Sequence, residues 1–287
     1  GLGRSVGRAD DDGHVLMPAY EGGRGSEPPL NLFKVDLNAP RGRRFHRGTN
    51  DTRDWFVNDN GQVLARERYD NETNIYRVQA LNDGKWINIF QVKDEIIPFS
   101  MIGVTPDETG LVYSASLNDG FDALMKLGFD GKIEGPLFEP RGKEIDSYYL
   151  DDNRKILGVR YAGLLPDYEF LDPALQSSLD FVSEQLPGAT LYLDSWSDDR
   201  DIILYHAFAP TLGDVWLTHQ QSTNELAIAA NRRPDIPAAA YGAMFNIEYT
   251  ARDGLKIDAI LTAPPGYQIG EDPPLPAIMM PHGGPAA

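Results

Sequence analysis

The sequence predicts a mainly β protein: a β-propeller over residues 1–240, followed by a differently built segment over residues 241–287. Three observations carry this. Turn signals made of Asp, Asn and Gly recur at near-constant spacing, each turn leads into a short apolar strand, and the pattern stops near residue 240.

Asp11-Asp12-Gly13-His14-Val15-Leu16-Met17 aligns with Asp59-Asn60-Gly61-Gln62-Val63-Leu64-Ala65, and further copies begin around Asp107, Asp152 and Asp198. The separations between these five aspartates are 48, 48, 45 and 46 residues. Each unit reads as four strands joined by tight turns. In the second unit the strands are expected at 54–57, 63–69, 75–80 and 86–91, turning at Asn60-Gly61 and Asp83-Gly84. In the third they are expected at 102–104, 111–115, 123–129 and 133–138, turning at Asp119-Gly120 and Asp130-Gly131. Four strands in roughly 40 to 50 residues is the arithmetic of a propeller blade. A β-sandwich spaces its strands similarly but does not require equal units.

No full first strand precedes Asp11, so the chain is expected to begin inside a unit. Five units are visible, and an open arc of five would expose strand edges, so the first blades are expected to lie elsewhere. The fourth unit departs from the pattern, with a helix expected over about 172–186 in place of its outermost strand. Asp172 fits the N-cap, Pro173 the first helical position, and Leu175, Leu179, Val182 and Leu186 form one stripe. Such a helix shields the blade edge or lines a substrate path. Glu184 is the side chain on it that could hold a substrate amino terminus.

Residues 231–240, with Pro234 and Pro237, read as a linker. Strands are expected next at 245–250 and 255–262, turning at Asp253-Gly254. Pro264-Pro265-Gly266-Tyr267 breaks the chain, and 269–274 is a polar loop. The apolar run 275–280 is expected as a strand buried on both faces, ending in Pro281-His282-Gly283-Gly284-Pro285. A buried strand running into His-Gly-Gly is where an α/β-hydrolase builds part of its oxyanion hole. Acyl transfer puts negative charge on the former carbonyl oxygen, and each backbone N–H aimed at it is worth on the order of 3 kcal/mol. Glycine lets the main chain come close and turn an N–H outward. The fold expected for 241–287 is therefore the start of an α/β-hydrolase domain.

From here the sequence resembles the prolyl oligopeptidase family of serine peptidases. The residues that carry the resemblance are Tyr249-Thr250-Ala251-Arg252-Asp253-Gly254-Leu255-Lys256-Ile257, then Leu261-Thr262-Ala263-Pro264-Pro265-Gly266, then the run from Pro276 to Pro285. His-Gly-Gly-Pro is similar to the acylaminoacyl-peptidase branch. The resemblance implies that Gly284 donates its N–H to the oxyanion, with Gly283 supporting it and His282 structural. It also implies a seven-bladed gating propeller, and a catalytic Ser, Asp and His placed after the oxyanion loop in chain order. None of that triad lies in these residues, so this chain by itself is expected to be inactive. Gly3-Arg4-Ser5-Val6-Gly7 matches Gly-Xaa-Ser-Xaa-Gly by letter, but no apolar strand precedes it and no amphipathic helix follows, so it reads as a loop.

Composition narrows the partners. The net charge is 26 − 43 = −17, with Lys and Arg scattered in sequence, so nucleic acid is not an expected partner, and no apolar run approaches the roughly 18 residues of a membrane span, so neither is a membrane. There is no cysteine, which removes disulfides, thiolate metal sites and a Cys nucleophile. The five histidines show no metal-ligand spacing, and no cofactor is called for. The expected partners are a short peptide substrate and the remainder of the hydrolase domain, on this or a separate chain. A homo-oligomer fits as well, and cytoplasmic and periplasmic locations are both open. An esterase or amidase on the same fold, and a propeller used only for binding, are the alternative functions.

Overall fold

The computed structural model describes residues 4–11, 13–22, 28–39, 41–97, 99–117, 120–163 and 165–281. Five antiparallel sheets and one hairpin follow one another along the chain. The first sheet is β1 (Gly7–Arg8), β2 (His14–Tyr20), β3 (Leu30–Asp36) and β4 (Gly42–His46). The second is β5 (Thr52–Val57), β6 (Val63–Asp70), β7 (Ile75–Asn82) and β8 (Lys85–Lys93). The third is β9 (Phe99–Val104), β10 (Gly110–Ser116), β11 (Asp122–Gly128) and β12 (Ile133–Phe138). The fourth has three strands, β13 (Ile145–Leu150), β14 (Ile156–Tyr161) and β15 (Asp167–Phe170), followed by helix α1 (Pro173–Gln185). The fifth is β16 (Thr190–Trp196), β17 (Ile202–Ala209), β18 (Gly213–Gln220) and β19 (Glu225–Asn231), and the hairpin is β20 (Met244–Thr250) with β21 (Lys256–Thr262).

Each sheet is a meander in chain order, the organisation expected of propeller blades. The first strand that seemed to be missing before Asp11 is present as β1, only two residues long. The helix stands where the fourth unit's outer strand was expected. Its N-cap works as the residue type dictates, because Asp172 Oδ1 accepts from Ala174 N at 2.9 Å and Leu175 N at 3.1 Å. At the second sheet's outer hairpin, Asp83 (φ 48°) and Gly84 (φ 73°) both take the left-handed conformation that a two-residue turn between twisted strands requires.

The repeat has a physical anchor one or two residues before the aspartates that mark it in sequence. Asn58, Thr105, Asp151 and Ser197 end or follow the first strand of four successive sheets, at separations of 47, 46 and 46. Each turns its side chain into its own hairpin. Asn58 Oδ1 accepts from Gln62 N at 2.9 Å, and Asp151 Oδ1 accepts from Lys155 N at 2.8 Å. Thr105 Oγ1 accepts from Gly110 N at 3.1 Å, and Ser197 Oγ accepts from Ile202 N at 2.9 Å. Short polar side chains satisfy turn amides that no strand partner reaches.

By compactness the chain divides into residues 1–176 and 177–287. In the first unit the core is a series of apolar layers between successive sheets. Leu16, Leu32, Trp55 and Val57 belong to one layer, Phe56, Tyr76, Val104 and Leu111 to the next, and Val112, Leu124, Ile156 and Tyr161 to a third. The turn between β13 and β14 ties the four sheets together. Asn153 Oδ1 accepts from Arg8 N at 2.6 Å, and Asn153 Nδ2 donates to Asn58 O at 2.7 Å. Arg154 donates to Asp54 Oδ2 at 2.7 Å and to Ile102 O at 3.3 Å, with its guanidinium 4.6 Å from the centre of the Phe56 ring.

In the second unit the inward residues of β17, Ile203, Tyr205, Ala207 and Ala209, are buried at every second position, as the pleat demands. Residues 275–280 correct the sequence reading. They form no strand, and Leu275, Ile278, Met279 and Met280 are exposed, the last three by more than 80%. A strand needs a hydrogen-bonding neighbour and covering layers on both faces, and among the described residues this run has neither. The boundary expected near residue 240 falls inside this second unit, where a short 3-10 turn (Ala238–Ala240) separates β19 from the hairpin.

Candidate active-site segment

Within the second unit, the linker after β19 is fixed at Tyr241 and Gly242. The Tyr241 ring packs against Phe208 at 5.2 Å between centroids. A side chain at Gly242 would place its Cβ 1.6 Å from Ala263 O, so only glycine passes there. Ala263 N then donates to Ala243 O at 2.9 Å and closes the open end of the hairpin. On the β20–β21 ribbon, Phe245 pairs with Leu261, Ile247 with Ala259 and Tyr249 with Ile257, so one face is apolar. The other face carries Glu248 and Lys256, paired at 2.7 Å. Past the hairpin, Tyr267 N donates to Pro264 O at 3.1 Å and Tyr267 Oη to Pro273 O at 3.1 Å, folding the Pro-Pro-Gly-Tyr segment on itself.

This path leads to His282-Gly283-Gly284-Pro285. Gly283 and Gly284, the expected oxyanion-loop glycines, lie outside the described residues, as do His282 and Pro285. Ser5 is described: its Oγ donates toward Gly7 O at 3.1 Å, in coil just before β1, with no strand-to-helix turn around it. Glu184 is exposed on α1. His206 lies beside Asp214, Nε2 to Oδ1 at 2.7 Å, on the fifth sheet.

Two polar groups escaped the sequence reading. The first is a serine–histidine pair, with Ser178 Oγ on α1 and His219 Nδ1 on β18 at 2.8 Å. Tyr205 Oη also meets Ser178 Oγ at 2.8 Å, and Phe181 stacks on the imidazole at 4.6 Å. Ser178 is 0% and His219 2% exposed, so no substrate reaches them, and burial holds the imidazole below its usual range. The pair joins helix to sheet. A serine and a histidine about 40 residues apart give no local signal of this; only the pairing of β17 with β18 under α1 brings them together. The second is Glu67, whose carboxyl burial and the nearby Asp54 push up to about 7. It lies in the first unit beside Tyr76, whose buried hydroxyl interacts with that carboxyl. Among the described residues no three His, Cys, Asp or Glu side chains cluster as metal ligands would, and no helix is long and apolar enough to cross a membrane.

No family model matches the chain. Dipeptidyl aminopeptidase BIII of Pseudoxanthomonas mexicana is 23% identical over 268 residues, covering 90% of this chain and 38% of that protein. The chain thus spans about two fifths of that relative's length. Among solved structures, prolyl oligopeptidase B from Galerina marginata superposes with a TM-score of 0.53 at 10% identity, over 91% of this chain and 38% of that one. Dipeptidyl peptidase 4 of Porphyromonas gingivalis gives 0.49 at 10% identity, over 93% and 42%, and adds nothing to the fold assignment. Over 90% of its length this chain is therefore similar in sequence to dipeptidyl aminopeptidase BIII, and its fold is similar to that of prolyl oligopeptidase B.

Proposed function

We propose that this chain supplies the propeller, and the start of the hydrolase domain, of a serine peptidase that cleaves short peptides. Residues 1–240 form the gating propeller and residues 241–287 lead the chain into the catalytic domain. The observation that carries the reading is the match to a dipeptidyl aminopeptidase over 90% of the chain, which spans both parts. The β20–β21 hairpin with its apolar face supports it, because it delivers the chain toward the oxyanion loop.

In this reading the Gly284 N–H stabilises the tetrahedral oxyanion, with Gly283 supporting the loop. The nucleophile and its base come from residues after the loop in chain order. The propeller limits substrates by size, since a folded protein does not pass between its blades. The acylaminoacyl-peptidase-like form of the motif belongs to the same proposal.

The test is Gly284→Pro in the complete polypeptide containing these residues, assayed on fluorogenic dipeptide amides. Proline removes the N–H, so kcat is expected to fall about 100-fold or more while KM changes little. Gly284→Ala keeps the donor and separates its loss from loop distortion. A Gly284→Pro enzyme with unchanged kcat, or a complete polypeptide that cleaves none of the amides, overturns the proposal.

A further inference from the structure

The chain carries 43 acidic residues against 26 basic ones, yet four basic or imidazole side chains of the first sheet converge on one open cleft. The cleft has a volume of about 520 Å³ and is lined by His14 on β2, Lys34 on β3, and Arg41, Gly42 and Arg43 at β4. The scatter of Lys and Arg along the sequence hides this, because the meander sets three separate segments side by side.

The strand register explains the convergence. Lys34 lies directly opposite Arg43, and Val35 opposite Gly42. Arg41 and Arg43 are two positions apart, so the pleat sends both side chains to the face that carries Lys34. Gly42 between them lets β4 lie close to β3, since a Cβ there would come 3.2 Å from Val35 Cγ2. Like charges directly opposite one another in a sheet are unfavourable by themselves. The Lys34 ammonium is held by Asp10 and by Asp11 at 2.6 Å, and His14 Nδ1 meets the other Asp11 oxygen at 2.5 Å. Asp36, the remaining acid of this part of the sheet, accepts from the Asn38 amide at 2.8 Å. Arg41 and Arg43 have no ion-pair partner among the described residues.

We propose that this cleft is a binding site for a small phosphate-bearing anion. Two guanidinium forks from one strand face suit the several oxygens of a phosphate, and Asp10 and Asp11 are themselves engaged by Lys34 beside them. Arginine on an exposed edge strand ordinarily guards it against pairing with another chain, a role that needs charge but no convergence on a cleft. A lone carboxylate engages one fork, whereas a phosphate engages both.

Titration calorimetry of the full chain at low ionic strength, with inorganic phosphate and with pyrophosphate, tests the site. Both are expected to bind, pyrophosphate more tightly, and binding is expected to weaken as salt is added. The double variant Arg41→Gln/Arg43→Gln is expected to lose at least about tenfold in affinity, while Arg77→Gln on the second sheet retains it. Both arginines are exposed, and far-UV circular dichroism checks that the variant is folded. Absence of binding, binding unchanged in the double variant, or binding of a Glu-rich peptide in place of the phosphates each overturns the proposal.

Discussion

Asn153 satisfies the Arg8 amide with its oxygen and the Asn58 carbonyl with its nitrogen, partners 145 and 95 residues away in sequence. It is 6% exposed, so water does not replace either bond when the side chain is removed. Asn153→Ala is therefore expected to cost about 2–4 kcal/mol, read from urea denaturation. A loss below about 0.5 kcal/mol, the range of an ordinary surface substitution, would count against the tie between sheets. None of this was legible in the sequence, where Asp151-Asp152-Asn153-Arg154-Lys155 reads as one more hairpin turn. The turn chemistry is local and readable; which distant backbone groups the turn meets is set by topology.

Helix α1 shows the opposite case. Its cap, its Pro173 start and its apolar stripe are neighbours in sequence, so the expected span of 172–186 lies within a residue at each end of the observed helix. What fastens the helix to the fifth sheet was not readable. Burial favours the neutral form of His219, which meets Ser178 and stacks on Phe181, both from α1. The Asn224 side chain, and to a lesser extent Asp201 just before β17, favour its protonation but do not outweigh burial. The folded-state pKa lies below the unfolded value of about 6.5, so the unfolded chain takes up the proton first as pH falls. The stability that this site contributes is present above that pH and is lost as pH falls through it. His219→Gln should flatten the decline of the urea midpoint between about pH 7.5 and 5.5. Parallel curves for parent and variant would show that His219 is not responsible. The apolar run 275–280 marks the limit of such reading, because its local pattern is that of a buried strand while its pairing depends on elements far from it in sequence.

Across the whole molecule, the repeat of 45 to 48 residues is what made the fold readable, since each sheet is one unit and each unit carries its own turn signals. The oxyanion loop proposed at His282-Gly283-Gly284-Pro285 rests on a different signal: few residue types let a backbone N–H face an anion, so such chemistry leaves a short motif. Sequence gave no comparable sign of the basic cleft, whose residues come from three strands. The central proposal is that these residues supply the charge-stabilising loop of a serine peptidase whose nucleophile follows that loop in chain order. A fluorophosphonate probe tests this most directly, applied in parallel to the 287-residue chain and to the complete polypeptide that contains it, with the modified residue mapped by mass spectrometry. Stoichiometric labelling of the complete polypeptide at a serine following the oxyanion loop, with no labelling of the 287-residue chain, is the predicted result. Labelling at Ser5 or at any other serine of the 287 residues, or a complete polypeptide that does not react, would contradict it.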